Sequence, residues 1–522
     1  MKDNQQQKPL REVIKFSNVK VNLIEYLKET VHKFPNKVAI DDNVAVISFL
    51  QLDVISDKIA LAIGSKSNVL RTPIAVFMPK SSWAVISFVG IFKSGNFYVP
   101  LDIKSPIDRI SKILDTLNTA CIITDAKHKE KLFQLGYKGE IIVIEEVITN
   151  VLSKNNLDKL DEISSQVIDL DPIYSIFTSG STGNPKGVLI SHRGVFNFVE
   201  WAIDTYSITE KDIIGNQVPF YFDVSTLDIY LMLVAGATLN IIPENRFTFP
   251  IKLIEYINEH KINFVIWVPS VLNNVSKFDA FSTVKPTSLN KILFAGEVMP
   301  NKHLNYWRKN HPTALYSNLY GPTETTVIAT YYIVNRTFND DESLPIGKAC
   351  KNIQTFILTG EGKLVNKGEL GELCVRGSSL AFGYYNDTEK TRLAFIQNPL
   401  HDLYPDLIYK TGDLVYENEF SEILFVGRKD SQIKHLGYRI ELGEIETAIL
   451  GVENVSDSCI LYDDVKKKIV AFFISNRSNV AIRKELIRSL PKYMIPTKWI
   501  KVEQFPLNSN GKIDKKELKN MF

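Results

Sequence analysis

The sequence predicts an α/β protein: a large N-terminal domain of α/β subdomains with a small β-barrel-like subdomain, followed by a small α+β C-terminal domain. Three observations carry this. Short apolar segments alternate with amphipathic ones over the first 345 or so residues, as expected for buried parallel strands covered by helices. From about Pro345 the strand candidates crowd together, with Gly-rich turns between them. After 425-FVGRKD-430 the composition breaks again, and strand and helix patterns alternate once more over the last ~90 residues.

Taken in order, residues 22–64 read as mainly helical after a polar N-terminal tail. Strand-like 73-PIAVFMP-79, helix-like 82-SWAVISFVGIFKSG-95 and strand-like 97-FYVPLD-102 set the βαβ rhythm. It continues through 120-ACIITD-125, 172-PIYSIF-177, 238-TLNIIP-243, 263-NFVIWVP-269 and 291-KILFAGE-297. The β-rich stretch, about 345–429, contains TFILTG, GELCVRG, LIYKTGDLVY and EILFVG. The expected domains are therefore 1–429 and 430–522, with the C-terminal one carrying its own apolar segments 468-KIVAFFIS-475 and 496-PTKWIKVEQF-505.

A chain of 522 residues, 45% hydrophobic and 23% charged, has ordinary globular composition. A net charge of +2 supplies no global field for nucleic acid or a membrane surface, so neither is expected as a partner. Cys121, Cys350, Cys374 and Cys459 lack C-x-x-C spacing, which fits core thiols in a reducing compartment and argues against zinc. No apolar run reaches the roughly 18 residues of a membrane helix, and the N-terminus has no signal-like region. A cytoplasmic location is expected.

In 174-YSIFTSGSTGNPKGVLISH-192 an apolar run breaks into Thr, Ser, Gly, Asn, Pro and Lys before becoming apolar again. It reads as strand, loop, strand. Gly180, Gly183 and Gly187 allow close backbone approach, so amides and the hydroxyls of Thr178, Ser179, Ser181 and Thr182 can surround an anion beside Lys186. Lys186 is followed by Gly187 rather than Ser or Thr, which disfavours a Walker P-loop.

Downstream stand 317-SNLYGPTETT-326, 409-YKTGDL-414, 425-FVGRKDSQIKHLGYRIELGEIE-446 and 506-PLNSNGKID-514. In this order and spacing the motifs resemble the adenylate-forming superfamily across almost the whole chain, and more closely its amino-acid-activating branch, the adenylation domains of nonribosomal peptide synthesis. The resemblance implies ATP and Mg²⁺ as cofactors and a two-step reaction. An amino-acid carboxylate attacks the α-phosphate of ATP, and a carrier protein's phosphopantetheine thiol then takes the acyl group. Such chemistry relies chiefly on positioning and charge neutralisation.

The resemblance also implies roles. The glycine loop with Lys186 meets the triphosphate, Tyr320 stacks on adenine, Asn318 contacts its polar edge, and Gly296, Glu297 and Gly321 complete the nucleotide site. Thr323 meets the α-phosphate, Glu324 holds Mg²⁺, and Asp413 and Arg428 hold the ribose. Lys512 of the terminal turn bridges carboxylate and α-phosphate in the first step. The small domain is then mobile: rotation about Asp430 withdraws Lys512 and brings in 434-KHLGYRIE-441, with Lys434 and Gly437, for the second. His435 and Leu436 stand where an apolar residue and Arg are common, and Phe382 where Arg is frequent.

Asp223, in 220-FYFDVSTLDIY-230, stands where the amino-acid branch keeps an acid for the substrate ammonium; a helix N-cap is the competing role for an Asp before an apolar run. The pocket positions carry over as Val224, Leu227, Trp267, Leu293, Ala295, Leu319, Val327 and Ile328, with Asp223 and Lys512 at the charged ends. An uncharged wall selects an apolar side chain, and Trp267 is expected to consume volume. The pattern is similar to that of stand-alone proline-activating enzymes, so L-proline is the first expectation. Alanine, 2-aminobutyrate, valine, D-alanine ligation to a teichoic-acid carrier, and an acyl- or aryl-CoA ligase of the same fold remain open. With only ten residues after Lys512, delivery to a separate carrier protein is expected. Residues 483–522 hold ten Lys/Arg against four Asp/Glu, which suits an acidic partner as well as a plain solvated face.

Overall fold

The computed structural model describes residues 20–67, 69–180, 183–506 and 513–521. Two large mixed sheets dominate the first 350 of these. A seven-stranded sheet runs in the spatial order Gly383–Tyr384, Lys186–Ser191, Pro172–Thr178, Phe97–Pro100, Pro73–Phe77, Cys121–Thr124, Glu140–Val143. A nine-stranded sheet runs Lys348–Ala349, Thr330–Ile333, Leu315–Tyr320, Lys291–Ala295, Phe264–Trp267, Ile213–Asn216, Thr238–Ile241, Val38–Asp41, Val46–Ser48. Their central strands pair in parallel; antiparallel strands close both edges of the nine-stranded sheet and one edge of the seven-stranded sheet, whose other edge strand, Glu140–Val143, is parallel.

One core joins the inner faces of both sheets through the helices Ser82–Lys93, His192–Tyr206 and Val224–Ala235. The first of these is buried on nearly every side, which is why its sequence is apolar all round rather than amphipathic. A second cluster covers the outer face of the nine-stranded sheet with the helices Pro250–Glu259, Pro269–Lys277 and Asn301–Asn310.

The β-rich stretch forms a five-stranded antiparallel sheet of Ile353–Leu358, Gly371–Gly377, Leu407–Glu417, Phe395–Gln397 and Ile423–Arg428. Beyond it come the hairpin Gln432–His435/Tyr438–Glu441, the helix Leu442–Leu450, and a three-stranded sheet of Val455–Asp463, Lys468–Ser475 and Lys498–Lys501 with a core of its own. The four cysteines are buried and unpaired. Among the described residues, no helix is long and apolar enough to cross a membrane.

The stretch 22–64 holds more than helices. Val38–Asp41 and Val46–Ser48 form a short antiparallel pair at the edge of the nine-stranded sheet. Strands of four and three residues offer too few positions for a period-two pattern to be read.

Candidate active site

The glycine loop leaves the strand Pro172–Thr178 and returns through Lys186–Ser191, and the antiparallel register sets Lys186 opposite Thr178 at the loop's base. Gly180 is required there, because a Cβ would lie 2.1 Å from the Asn184 carbonyl oxygen. Gly183 sits at φ +80°. Thr178 and Ser179 line a cavity of about 110 Å³, and the buried Thr178 hydroxyl has no partner among the described residues. A buried hydroxyl left open at a loop of this composition suits a ligand oxygen. Ser181 and Thr182 lie outside the described residues.

Across the cavity, the strand Leu315–Tyr320 ends in the turn Thr323–Thr325, which delivers Glu324 fully buried. Its Oε1 accepts from the Tyr384 hydroxyl at 2.8 Å and lies 3.4 Å from Lys186 Nζ; its Oε2 accepts from Arg439 Nη1 at 2.7 Å. Burial works to raise the pKa of this carboxyl, but the charges of Arg439 and Lys186 outweigh it and hold the group well below the usual carboxylate range. Lys186 is pushed below its ordinary pKa by burial and by Arg439.

The second half of the site is built on Asp413 and Arg428, paired neighbours on adjacent strands. Arg428 Nη1 donates to Asp413 Oδ1 at 2.6 Å, and the Tyr320 hydroxyl donates to Asp413 Oδ2. Arg428 also grips Asp430 through two bonds of 2.7 Å, and the Gln432 amide donates to Asp430 at 3.1 Å. A second cavity beside the first is lined by Gly296, Asn318, Tyr320, Ile346 and Phe425. Asn318 Nδ2 donates to the Pro345 carbonyl at 2.8 Å. Gly321 allows its strand end to pass against 327–329, where a Cβ would meet the Val327 carbonyl oxygen at 2.4 Å.

Asp223 opens the helix Val224–Ala235, and its side chain makes no capping bond, so the N-cap role is not what holds it. It faces the first cavity with Val224, Ala295, Val327, Phe222 and Val268. Burial raises its pKa above the ordinary range, partly offset by the Thr323 hydroxyl. Leu227, Leu293 and Ile328 are buried in the core behind these walls and do not line this cavity, while Leu319, the ladder partner of Ala295, lines the second one. Trp267 departs from the expectation. Alternation along Phe264–Trp267 turns its ring to the opposite face of the sheet, where Nε1 donates to the Gly215 carbonyl at 3.0 Å and the ring meets Phe247 edge-on. It contributes no wall to the cavity, and Val268 stands there instead.

The hairpin at 432–441 reaches into the site. Lys434 lines both cavities, with Nζ 5.6 Å from the Tyr320 ring centre. Gly437, at φ +82°, donates its amide to Glu297 Oε1 at 2.7 Å, and a Cβ on it would lie 2.8 Å from Val268 Cγ1. Glu297 also accepts from the Ser270 amide at 3.1 Å. Ser179 Oγ donates to the Arg439 carbonyl at 2.8 Å and accepts from the Glu441 amide at 3.2 Å. The buried pair Arg109–Glu444 adds a further tie between the two parts of the chain. His435 bonds Tyr462, while Leu436 at the hairpin tip and Phe382 are exposed. Lys512 lies outside the described residues.

Among the described residues no group of three His, Cys, Asp or Glu is gathered to hold a metal ion. Glu324 alone fits Mg²⁺ in one manner, as a single carboxylate completed by phosphate oxygens and water. Sequence reasoning missed Arg439, Tyr384, Phe222 and Val268. Arg439 lies in the segment 434–441 and Tyr384 two residues beyond Phe382, and each gains its role only when strands distant in sequence meet.

The arrangement offers a glycine loop beside a lysine, a buried carboxylate, the Asp413–Arg428 pair, and two adjoining cavities, the first with Asp223 among its walls. Residues 27–385 match the family model described as AMP-binding enzyme. Tyrocidine synthase 1 of Brevibacillus parabrevis is 31% identical over 95% of this chain, which spans 44% of that protein's length. Zwittermicin A synthase ZmaJ of Bacillus cereus is 32% identical, with 94% of this chain and 93% of that protein covered. A D-alanine–D-alanyl carrier protein ligase of Bacillus cytotoxicus is 31% identical over 95% of this chain and 99% of that one. Among solved structures, the Vibrio cholerae adenylation domain AlmE in complex with glycyl-adenosine-5'-phosphate has a TM-score of 0.83 at 21% identity, covering 98% of this chain and 99% of that one.

Proposed function

Because the chain belongs to the AMP-binding enzyme family of adenylate-forming ligases, we propose that it activates a small apolar amino acid, L-proline first, as aminoacyl-AMP, and passes it as a thioester to the phosphopantetheine of a separate carrier protein. The observation that carries the reading is Asp223, a carboxylate that makes no capping bond and faces the cavity beside the apolar side chains of Val224, Ala295, Val327, Phe222 and Val268. A secondary or primary ammonium adds N–H donors and a positive charge to the Thr323 hydroxyl that already meets it. Val224, Ala295, Val327, Phe222 and Val268 offer nothing to pair a polar group, so a charged or hydrogen-bonding substrate side chain lying against them is penalised.

In the first step a carboxylate oxygen bonds to the α-phosphorus as the bond to the β-phosphate oxygen breaks. The glycine loop and Lys186 neutralise the leaving pyrophosphate, Thr323 contacts the α-phosphate, and Lys512 bridges the two reacting anions. Tyr320 and Asn318 take the adenine, and Asp413 and Arg428 the ribose. A Mg²⁺ ion held by Glu324 and the phosphates would add charge neutralisation. In the second step Lys512 gives way to the hairpin, Gly437 lets the thiol's arm pass close to the backbone, and AMP leaves as the thioester forms. Asp430, gripped by Arg428, is the proposed hinge.

The test is ATP–pyrophosphate exchange with the twenty amino acids and D-alanine, followed by mass measurement of candidate holo-carriers. Exchange is expected to be strongest with L-proline. Strong exchange with a charged or aromatic amino acid and none with proline would overturn the substrate assignment; acylation of CoA but of no holo-carrier would overturn the partner. The likeness to a D-alanyl carrier protein ligase over nearly its full length makes D-alanine the second reading.

A further inference from the structure

Between the strand Ile213–Asn216 and the helix Val224–Ala235 runs the segment 217–223, which supplies Val218, Tyr221, Phe222 and Asp223 to the first cavity. Both of its ends are tied at one buried cluster. Asn216, the last residue of the strand, donates from Nδ2 to Oδ2 of Asp228, one turn into the helix, at 2.8 Å, and both residues are fully buried. Lys80 donates to the Asn216 and Gln217 carbonyls at 3.4 and 3.0 Å.

The cluster is one donor short. Asn216 Oδ1 and Asp228 Oδ1 are buried with no partner among the described residues, and they belong to two side chains already joined by one bond. An ionised carboxylate leaves both oxygens as bare acceptors, which is costly inside a protein. A proton on Asp228 Oδ1 supplies a donor for Asn216 Oδ1, so that acid and amide join by two bonds in a ring. Burial favours the same form, pushing the Asp228 carboxyl up to about 8 against the opposing pulls of the Asn216 bond and the Lys80 charge. Lys80 is in turn acted on by Glu244 and Lys104. The strands Ile213–Asn216 and Thr238–Ile241 and the helices Leu23–Lys33 and His192–Tyr206 also pack around this helix, and among the described residues none of their titratable groups bears on Asp228.

We propose that Asp228 is a positioning residue for the amino-acid side of the site: as a neutral acid paired twice with Asn216 it draws the two ends of segment 217–223 together, and on ionisation it lets that segment loosen. This deepens the adenylation reading above and rests on it. When the proton leaves to solvent, one of the two bonds goes with it. A further cavity of about 60 Å³, lined by Lys80, Pro219, Phe220 and Tyr221, gives the segment room to shift. Asp223 and Phe222 move with it, while Asp413 and Arg428 are held on the five-stranded sheet. The loss therefore falls on the amino acid and not on ATP.

The experiment compares the full chain with Asp228→Asn across pH. In ATP–pyrophosphate exchange the parent's amino-acid KM is expected to rise roughly 3- to 10-fold through about pH 8, the worth of one hydrogen bond, with the ATP KM unmoved. Asp228→Asn forms an amide–amide ring with no proton to lose, and its amino-acid KM is expected to stay flat over the same range. Hydrogen exchange of the peptide 217–223, compared between the two proteins at each pH so that the intrinsic rate cancels, is expected to quicken in the parent alone. A raised folded pKa contributes stability that is present below the ordinary carboxylate pKa and lost as pH rises through the raised value. The lead of Asp228→Asn over the parent in melting temperature is therefore expected to widen up to about pH 8 and then hold. A KM rise equal in both proteins, the sign of a titrating substrate ammonium, would overturn the proposal. So would equal hydrogen exchange of the peptide in both, or a melting lead that does not change with pH. Exchange with no amino acid at any pH would remove the proposed function, and the hydrogen-exchange and melting comparisons would still decide the role of Asp228.

Discussion

Replacing Asp223 with Asn keeps the shape of the side chain and removes the charge that the proposed substrate ammonium would meet. Losing one member of an enclosed, hydrogen-bonded charge pair costs about 2–4 kcal/mol, or roughly 30- to 1000-fold in kcat/KM for the amino acid. The ammonium does not change in the reaction, so the loss is expected in the amino-acid KM, with kcat for exchange and the KM for ATP little altered. Stability is expected to move the other way. Burial raises the pKa of Asp223, so its contribution to stability is present below the ordinary carboxylate pKa and is lost as pH rises through the raised value. At neutral pH the group is therefore a net cost, and Asp223→Asn should melt at the same temperature or higher. Since Asp223 makes no helix-capping bond, no cap is lost. The assay is exchange at varied amino acid and fixed ATP, paired with thermal unfolding. Exchange unchanged in the variant would refute the reasoning, and so would a lower melting temperature with ATP and amino-acid KM rising together, the signature of a structural Asp.

The same pKa shift is expected to make the wild-type amino-acid KM rise on acidification at a higher pH than an ordinary carboxylate would, and Asp223→Asn should flatten that profile. Asp413→Ala removes the acceptor shared by Arg428 and Tyr320; the ATP KM is expected to rise about tenfold or more, with the amino-acid KM unmoved in the same exchange assay. Gly437→Ala places a Cβ against Val268 at a positive φ, a strain of about 1–2 kcal/mol. It is expected to slow thiol transfer from preformed adenylate about 5- to 30-fold more than it slows exchange. Trp267→Phe loses the bond to Gly215, worth about 1 kcal/mol by thermal or denaturant unfolding, and should leave the ranking of amino acids unchanged because the ring faces away from the cavity.

The placing of the loop and of Glu324 was legible because glycine, hydroxyl and charged residues are clustered in sequence around sharp turns, Thr178 to Lys186 and Tyr320 to Glu324, whereas Asp413 and Arg428 meet across a strand ladder. What escaped depends on orientation and on meetings between distant strands. Trp267 occupies a pocket position by resemblance, yet one residue of offset along a strand puts a side chain on the other face. Arg439 reads as one more charge in a polar hairpin until Glu324, 115 residues away in sequence, is set against it. Tyr384 was hidden the same way, in a two-residue strand whose register against Lys186–Ser191 brings its hydroxyl to Glu324. The short strands Val38–Asp41 and Val46–Ser48 gave no period, since their place is set by pairing at a sheet edge.

That one cavity serves two half-reactions by exchanging Lys512 for the hairpin is tested most directly by separating the half-reactions in Lys512→Ala. Pyrophosphate exchange is expected to fall by orders of magnitude, while transfer of the aminoacyl group from preformed adenylate to holo-carrier proceeds at close to the wild-type rate. Equal loss of both steps, in a variant that folds as the parent does, would contradict the exchange.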